Sequence, residues 1–160
     1  MADFPETEVR SLLGEKRTFP ADLPARRTVV VAAFLREQQE QVDRWIDALT
    51  EAGLPGSPHD MTDSDRAVVI ELPVLPSTYR LARRMIDGGM SRSIAIDRVL
   101  ARTFTTYTDV AAFRKAIAIP TPRVEVLVVT RQGEIIDRAS GEPNEFAVTR
   151  LSESALASAE

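Results

Sequence analysis

The chain has 160 residues, with 20 Lys and Arg against 24 Asp and Glu for a formal charge of −4, one histidine and no cysteine. That size suits one domain with a sizeable core, and the lack of any thiol excludes thiol–disulfide exchange and thiol peroxidase chemistry, which both need a thiolate nucleophile. The acidic balance offers no broad attraction to phosphate, so no nucleic-acid partner is expected, and no apolar run approaches the roughly 18–20 residues of a membrane span.

Met1 to Arg10 is acidic and polar where an export signal has a basic start and an apolar middle, so a cytoplasmic address is expected. Residues 1–26 mix Pro5, Pro20 and Pro24 with charges and only a short apolar pair, Leu12 and Leu13, which reads as an N-terminal arm ahead of a domain over 27–157. Thr28 to Phe34 is a continuous apolar, β-branched run without alternation, the pattern of a strand buried on both faces of a sheet. From Arg36 to Ala52 the period changes. Val42, Trp45, Ile46 and Leu49 fall on one helical face, while Glu37, Gln38, Glu40, Asp43 and Asp47 point away. Gly53, Pro55, Gly56 and Pro58 stop that helix, and Ala67 to Leu72 is a second strand. Two strands joined through a helix form a right-handed parallel βαβ unit, so the class is α/β.

Pro76, with Tyr79, Leu81, Ala82, Met85 and Ile86 after it, predicts a second helix ended by Gly88-Gly89. Arg98 to Thr106 is a further strand candidate, and Thr108 to Ile117 a short helix capped at Thr108 or Asp109. Val124 to Val129, the turn Thr130 to Gly133 and Glu134 to Arg138 predict an antiparallel hairpin. Asn144 to about Leu156 completes the chain as a helix with Phe146, Val148 or Ala147, Leu151 and Ala155 inward.

Two segments carry a family resemblance. Phe19-Pro-Ala-Asp-Leu-Pro24 ahead of Val29 to Phe34 looks like the Pro-containing lead-in to the core strand of redoxins and peroxiredoxins. Val126 to Ile136 ahead of Ser140-Gly141 looks like their closing hairpin. Over about Phe19 to Leu151 the chain resembles the thioredoxin-like superfamily, which implies a three-layer fold with a mixed central sheet, a C-terminal β-hairpin and flanking helices. Within that superfamily, Thr103 to Ile117 and on through Gly141 is similar to the mitochondrial ATP synthase assembly factor, a thioredoxin-like family that is not a conventional oxidoreductase.

The resemblance also locates the site. In active redoxins the nucleophilic cysteine stands where the first core strand enters the helix, which here is Glu37 to Gln41, and the fold's cis-proline falls near Pro122. Glu37, Gln38 and Gln41 are not useful nucleophiles without an activating partner, so redox activity of the family type is not expected and a binding role is. Arg80, Arg83 and Arg84 form the densest basic cluster, spaced three and four apart so that one helical face could hold an anion or an acidic partner. His59 beside Asp60, Asp63 and Asp65 is the one arrangement with metal-ligating types, but without a second histidine or a recognisable ligand spacing it reads as a solvated loop, and no cofactor is expected. The expected function is a redox-inactive binding module, an assembly or adaptor protein or complex subunit with a protein partner or a second copy of itself. The alternative is a non-thiol enzyme or small-molecule-binding protein using the former redoxin cleft.

Overall fold

The computed structural model describes residues 3–93 and 96–157. In chain order the elements are β1 (Thr7–Ser11), β2 (Lys16–Phe19), β3 (Arg27–Ala33), α1 (Gln39–Glu51), β4 (Ala67–Pro76), α2 (Arg83–Ser93), α3 (Asp97–Arg102), β5 (Phe104–Thr108), α4 (Val110–Ala116), β6 (Glu125–Thr130), β7 (Ile135–Ser140) and α5 (Glu145–Leu156). The strands form one sheet in the order β2-β1-β5-β4-β3-β6-β7. β3, β4 and β5 run parallel, and the β1–β2 and β6–β7 hairpins flank them antiparallel.

β3 lies inside the sheet, between β4 and β6, because its sequence has no face that tolerates water. Val29 and Val31 point to one core with Val42, Trp45, Ile46 and Leu49 of α1 and Ala147, Val148, Leu151 and Ala155 of α5. Val30 points to the other, with Phe4, Leu23, Phe104, Phe113 and Ile117. Successive strand side chains alternate between faces, and helices on both faces make a fully apolar strand stable. The α/β class and the mixed sheet with its C-terminal hairpin follow the expectation.

Four local expectations fail, each for a physical reason. The proline-rich arm holds a hairpin: β1 and β2 pair from Thr7 with Phe19 to Arg10 with Lys16, and β1 extends the sheet at β5. Val9 and Phe19 are buried there, and tertiary packing overrides the charges between them. The strand expected over Arg98 to Thr106 divides into α3 and β5, with Thr103 between them. Gly88-Gly89 does not stop α2, which runs on to Ser93. Glycine costs a helix only about 1 kcal/mol relative to alanine, and the side chains of Asp87 and Arg83 fasten this helix to β5. Asp87 accepts hydrogen bonds from Tyr107 Oη (2.8 Å) and Thr105 Oγ1 (3.0 Å), and Arg83 Nη2 donates to the Thr105 carbonyl (3.1 Å). Phe146, expected inward, is exposed beneath the Arg150 guanidinium, because α5 buries the stripe through Ala147, Val148, Leu151 and Ala155 instead.

Candidate functional site: the strand-to-helix corner and its groove

β3 leaves the sheet through Phe34 and the extended Leu35, makes one 3-10 turn over Arg36–Gln38 and enters α1. Gln38 closes this corner. Its Oε1 accepts from the backbone N–H groups of Phe34 (2.8 Å) and Leu35 (3.1 Å), and its Nε2 donates to the carbonyl of Pro122 (2.7 Å). A primary amide suits the position because it presents an acceptor and a donor at once, so one side chain joins the end of β3 to the loop before β6. The cis peptide bond among the described residues is Phe19-Pro20, so Thr121-Pro122 is trans.

Gln41 is engaged similarly. Its Nε2 donates to the Gly141 carbonyl (2.5 Å), which also accepts from Trp45 Nε1 (2.9 Å), and Arg44 holds Glu142 with two hydrogen bonds (2.7 and 3.0 Å). The outer side of α1 is thereby fixed to the β7–α5 loop. Glu37 is exposed.

Arg80 and Arg83 turn towards β5. Arg80 Nη2 donates to the Tyr107 carbonyl (3.0 Å), and the Arg83 guanidinium lies 5.0 Å from the centre of the Tyr107 ring. Burial and the hydrogen bond to Asp87 push the Tyr107 hydroxyl far above its ordinary titration, so it stays a donor. Arg84 is exposed on α2. The six expected site residues therefore fall into two separate groups: Glu37, Gln38 and Gln41 at the corner, and the three arginines around α2.

Between the groups lies a groove of about 1040 Å³, walled by α1 on one side and by α2 and α3 on the other, with β4 along its floor. Gln39, Asp43 and Asp47, one turn apart on α1, make the first wall polar and acidic, while Met85, Ile86 and Ile96 make the second apolar. Met85 and Ile96 are exposed in that second wall, and Tyr79 and Leu81, in the turn before α2 and outside the groove lining, are exposed as well.

The floor contains a charge pair. Glu71 of β4 is 5% exposed and Arg102 at the end of α3 is 9% exposed, with Arg102 Nε 3.9 Å from Glu71 Oε2. That separation exceeds a hydrogen bond. Arg102 Nη1 donates to the Gly56 carbonyl (3.1 Å), and Arg102 Nε is buried without a hydrogen-bond partner among the described residues. Burial pushes the Glu71 carboxyl above the usual carboxylate range, against the pull of Arg102 and with the help of the Asp43 charge. The pair can orient a polar group that reaches the floor. Its signal in the sequence was Glu71 itself, a single charge inside a strand otherwise apolar from Ala67 to Leu72.

Elsewhere, His59 sits in a 3-10 turn whose Asp60 pairs with Arg98 (3.2 Å). Among the described residues no group of three or more His, Cys, Asp and Glu is placed to hold a metal ion, and no helix is long and apolar enough to cross a membrane.

No protein-family model matches the sequence, and no curated protein matches it. Solved structures do. A putative electron transfer protein from Aquifex aeolicus VF5 superposes with a TM-score of 0.62 at 13% identity, over 97% of this chain and 93% of its own. Yeast Sco1 with copper bound gives 0.58 at 10% identity, over 96% and 92%. The exposed lipoprotein thioredoxin Etrx1 of Streptococcus pneumoniae strain TIGR4 gives 0.57 at 10% identity, over 94% and 99%. Identities this low establish shape and leave chemistry open. With the corner, the parallel βαβ unit and the closing hairpin in common order, the chain has the thioredoxin-like fold.

Proposed function

We propose that this protein is a redox-inactive thioredoxin-like binding module, an assembly or adaptor protein that receives a segment of a protein partner in the groove between α1 and α2. The observation that carries this reading is Gln38, an amide bonded on both sides to backbone at the place where the resemblance to redoxins puts the nucleophile. A group whose donor and acceptor are both occupied by the fold holds the corner shut, and interaction passes to the surface beside it. That surface has the features of a recognition site: a long concavity, an acidic wall and apolar side chains left in water.

The test is affinity capture of the intact protein from an extract of its own cells, beside the variants Met85→Glu and Ile96→Glu, both at exposed groove-lining positions. A stoichiometric protein partner, lost with either substitution at unchanged melting temperature, supports the reading; a partner retained by both variants sinks it.

A second reading, a small molecule in the same groove, draws on Glu71 and Arg102. A polar ligand group at the floor would meet the unpartnered Arg102 Nε. Native mass spectrometry of the purified protein decides between the two, since a bound metabolite with no protein partner favours the ligand.

A further inference from the structure

The opposite end of the sheet carries a second concavity, of about 360 Å³, lined by Arg26, Arg27, Arg66, Arg131 and Glu134 among others. The strand register brings these arginines together. Arg27 begins β3 and stands opposite Ala67 of β4 and Thr130 of β6. Arg66 immediately precedes Ala67, Arg131 immediately follows Thr130, and Arg26 immediately precedes Arg27. Neighbouring strands lie about 4.8 Å apart, so three adjacent strand ends bring four arginines into the lining of one concavity.

Among the described residues no ion pair neutralises the four arginines there, and Glu134 is the one acid in the lining. The bonds they make are to carbonyl oxygens: Arg27 Nη1 donates to Ser154 (2.6 Å) and Arg131 Nε to Leu23 (3.0 Å). Such bonds fix the direction of a guanidinium and leave its charge and remaining N–H donors available. Arg26 and Arg66 have no side-chain hydrogen bond at all among the described residues. In a chain whose net charge is −4, a mouth with four cations and one anion is a local reversal of sign. Like charges so placed repel each other, and an anion bound among them relieves that repulsion.

The geometry points to an anion-binding site for a phosphate group carrying two or more negative charges, borne by a small phosphorylated ligand. Charge and size both select this class. Four guanidinium groups against one carboxylate match a multiply charged anion better than a single carboxylate, arginine's planar fork fits phosphate oxygens in pairs, and the volume lies near the lower end of the range for small-ligand sites, about 300–1,000 Å³. The site lies at the sheet end remote from the corner and does not depend on the role proposed for the groove.

The test is isothermal titration of the intact chain with inorganic phosphate, inorganic pyrophosphate and adenosine diphosphate, each at ionic strength matched with sodium chloride. Saturable one-to-one binding of pyrophosphate with a rise in melting temperature is expected. The variant Arg26→Gln/Arg66→Gln, whose side chains make no hydrogen bond or ion pair among the described residues, is expected to keep its urea midpoint and to bind about tenfold or more weakly. Equal affinities for pyrophosphate and adenosine diphosphate identify the phosphate end as the whole of recognition, whereas tighter binding of the nucleotide extends the site to the rest of the ligand. Arg36→Gln/Arg84→Gln, exposed positions beyond the carboxyl ends of β3 and β4 that remove the same two charges, controls for net charge. The proposal is overturned if no ligand gives saturable binding at matched ionic strength, if Arg26→Gln/Arg66→Gln binds as the native chain does, or if Arg36→Gln/Arg84→Gln weakens binding as much as Arg26→Gln/Arg66→Gln.

Discussion

Replacing Arg102 with methionine keeps much of the apolar stem and removes the cation beside Glu71. Deleting one member of a buried ion pair costs about 3–5 kcal/mol, because the partner charge is left uncompensated in a poor solvent. Here the two groups are 3.9 Å apart rather than hydrogen-bonded, which places the expected cost at the lower end, about 3 kcal/mol. For a chain of 160 residues this corresponds to a fall in Tm of about 6–12 °C. The loss has a definite pH sign. Burial already holds the Glu71 carboxyl above its unfolded titration, so its ionised form detracts from stability, and that deficit disappears as pH falls through the folded value towards the unfolded one. Arg102 opposes the rise; without it the folded value moves higher and the deficit at neutral pH deepens. The assay is urea unfolding of the native chain and of Arg102→Met at about pH 7 and about pH 5, where the difference between the two proteins is expected to be smaller, moving towards about 1 kcal/mol, the share of the lost hydrogen bond to Gly56, as Glu71 takes up its proton. Glu71→Gln/Arg102→Met should recover most of the loss at the higher pH. A deficit of equal size at both pH values, or a double variant no more stable than Arg102→Met, would refute the argument that the Glu71 charge is its source.

Two further outcomes follow from local geometry. Gln38→Ala removes three hydrogen bonds at a partly exposed position, and a loss of about 1–2 kcal/mol in urea unfolding is expected, with faster amide exchange at Phe34 and Leu35. Gly89→Ala meets open space inside a helix that glycine weakens, so a gain of up to about 1 kcal/mol, read as a higher Tm, is expected.

How much could be read in advance depended on where the determining contacts lie. β3, α1, the β6–β7 hairpin and most of α5 announce themselves because their burial patterns are local: Val29 to Val31 are apolar on both faces, and Val42, Trp45, Ile46 and Leu49 repeat at helical spacing. The β1–β2 hairpin was hidden because its strands are short and charged, and Val9 and Phe19 gain their burial from distant Phe104 and its neighbours. α2 was misread in the opposite sense. Its glycines suggested an end, but Asp87 and Arg83 anchor it through β5 residues some twenty positions away. At the corner, the resemblance to redoxins located Gln38 but not its work, since Pro122 is 84 residues further along. The arginine mouth at the other end lay beyond any reading by local spacing, because only the register of β4, β3 and β6 joins Arg66, Arg26, Arg27 and Arg131.

The amide of Gln38 also decides how the corner responds to its redox surroundings. A corner governed by a dithiol takes one of two states according to the reduction potential around it, and its neighbours change with the state. Here the same junction is set by three hydrogen bonds that neither glutathione nor peroxide alters. The shape of the groove mouth is therefore indifferent to oxidants acting at the corner. Sensitivity to oxidants passes instead to the wall, where Met85 is 76% exposed and its sulfoxide would turn an apolar contact into a polar one.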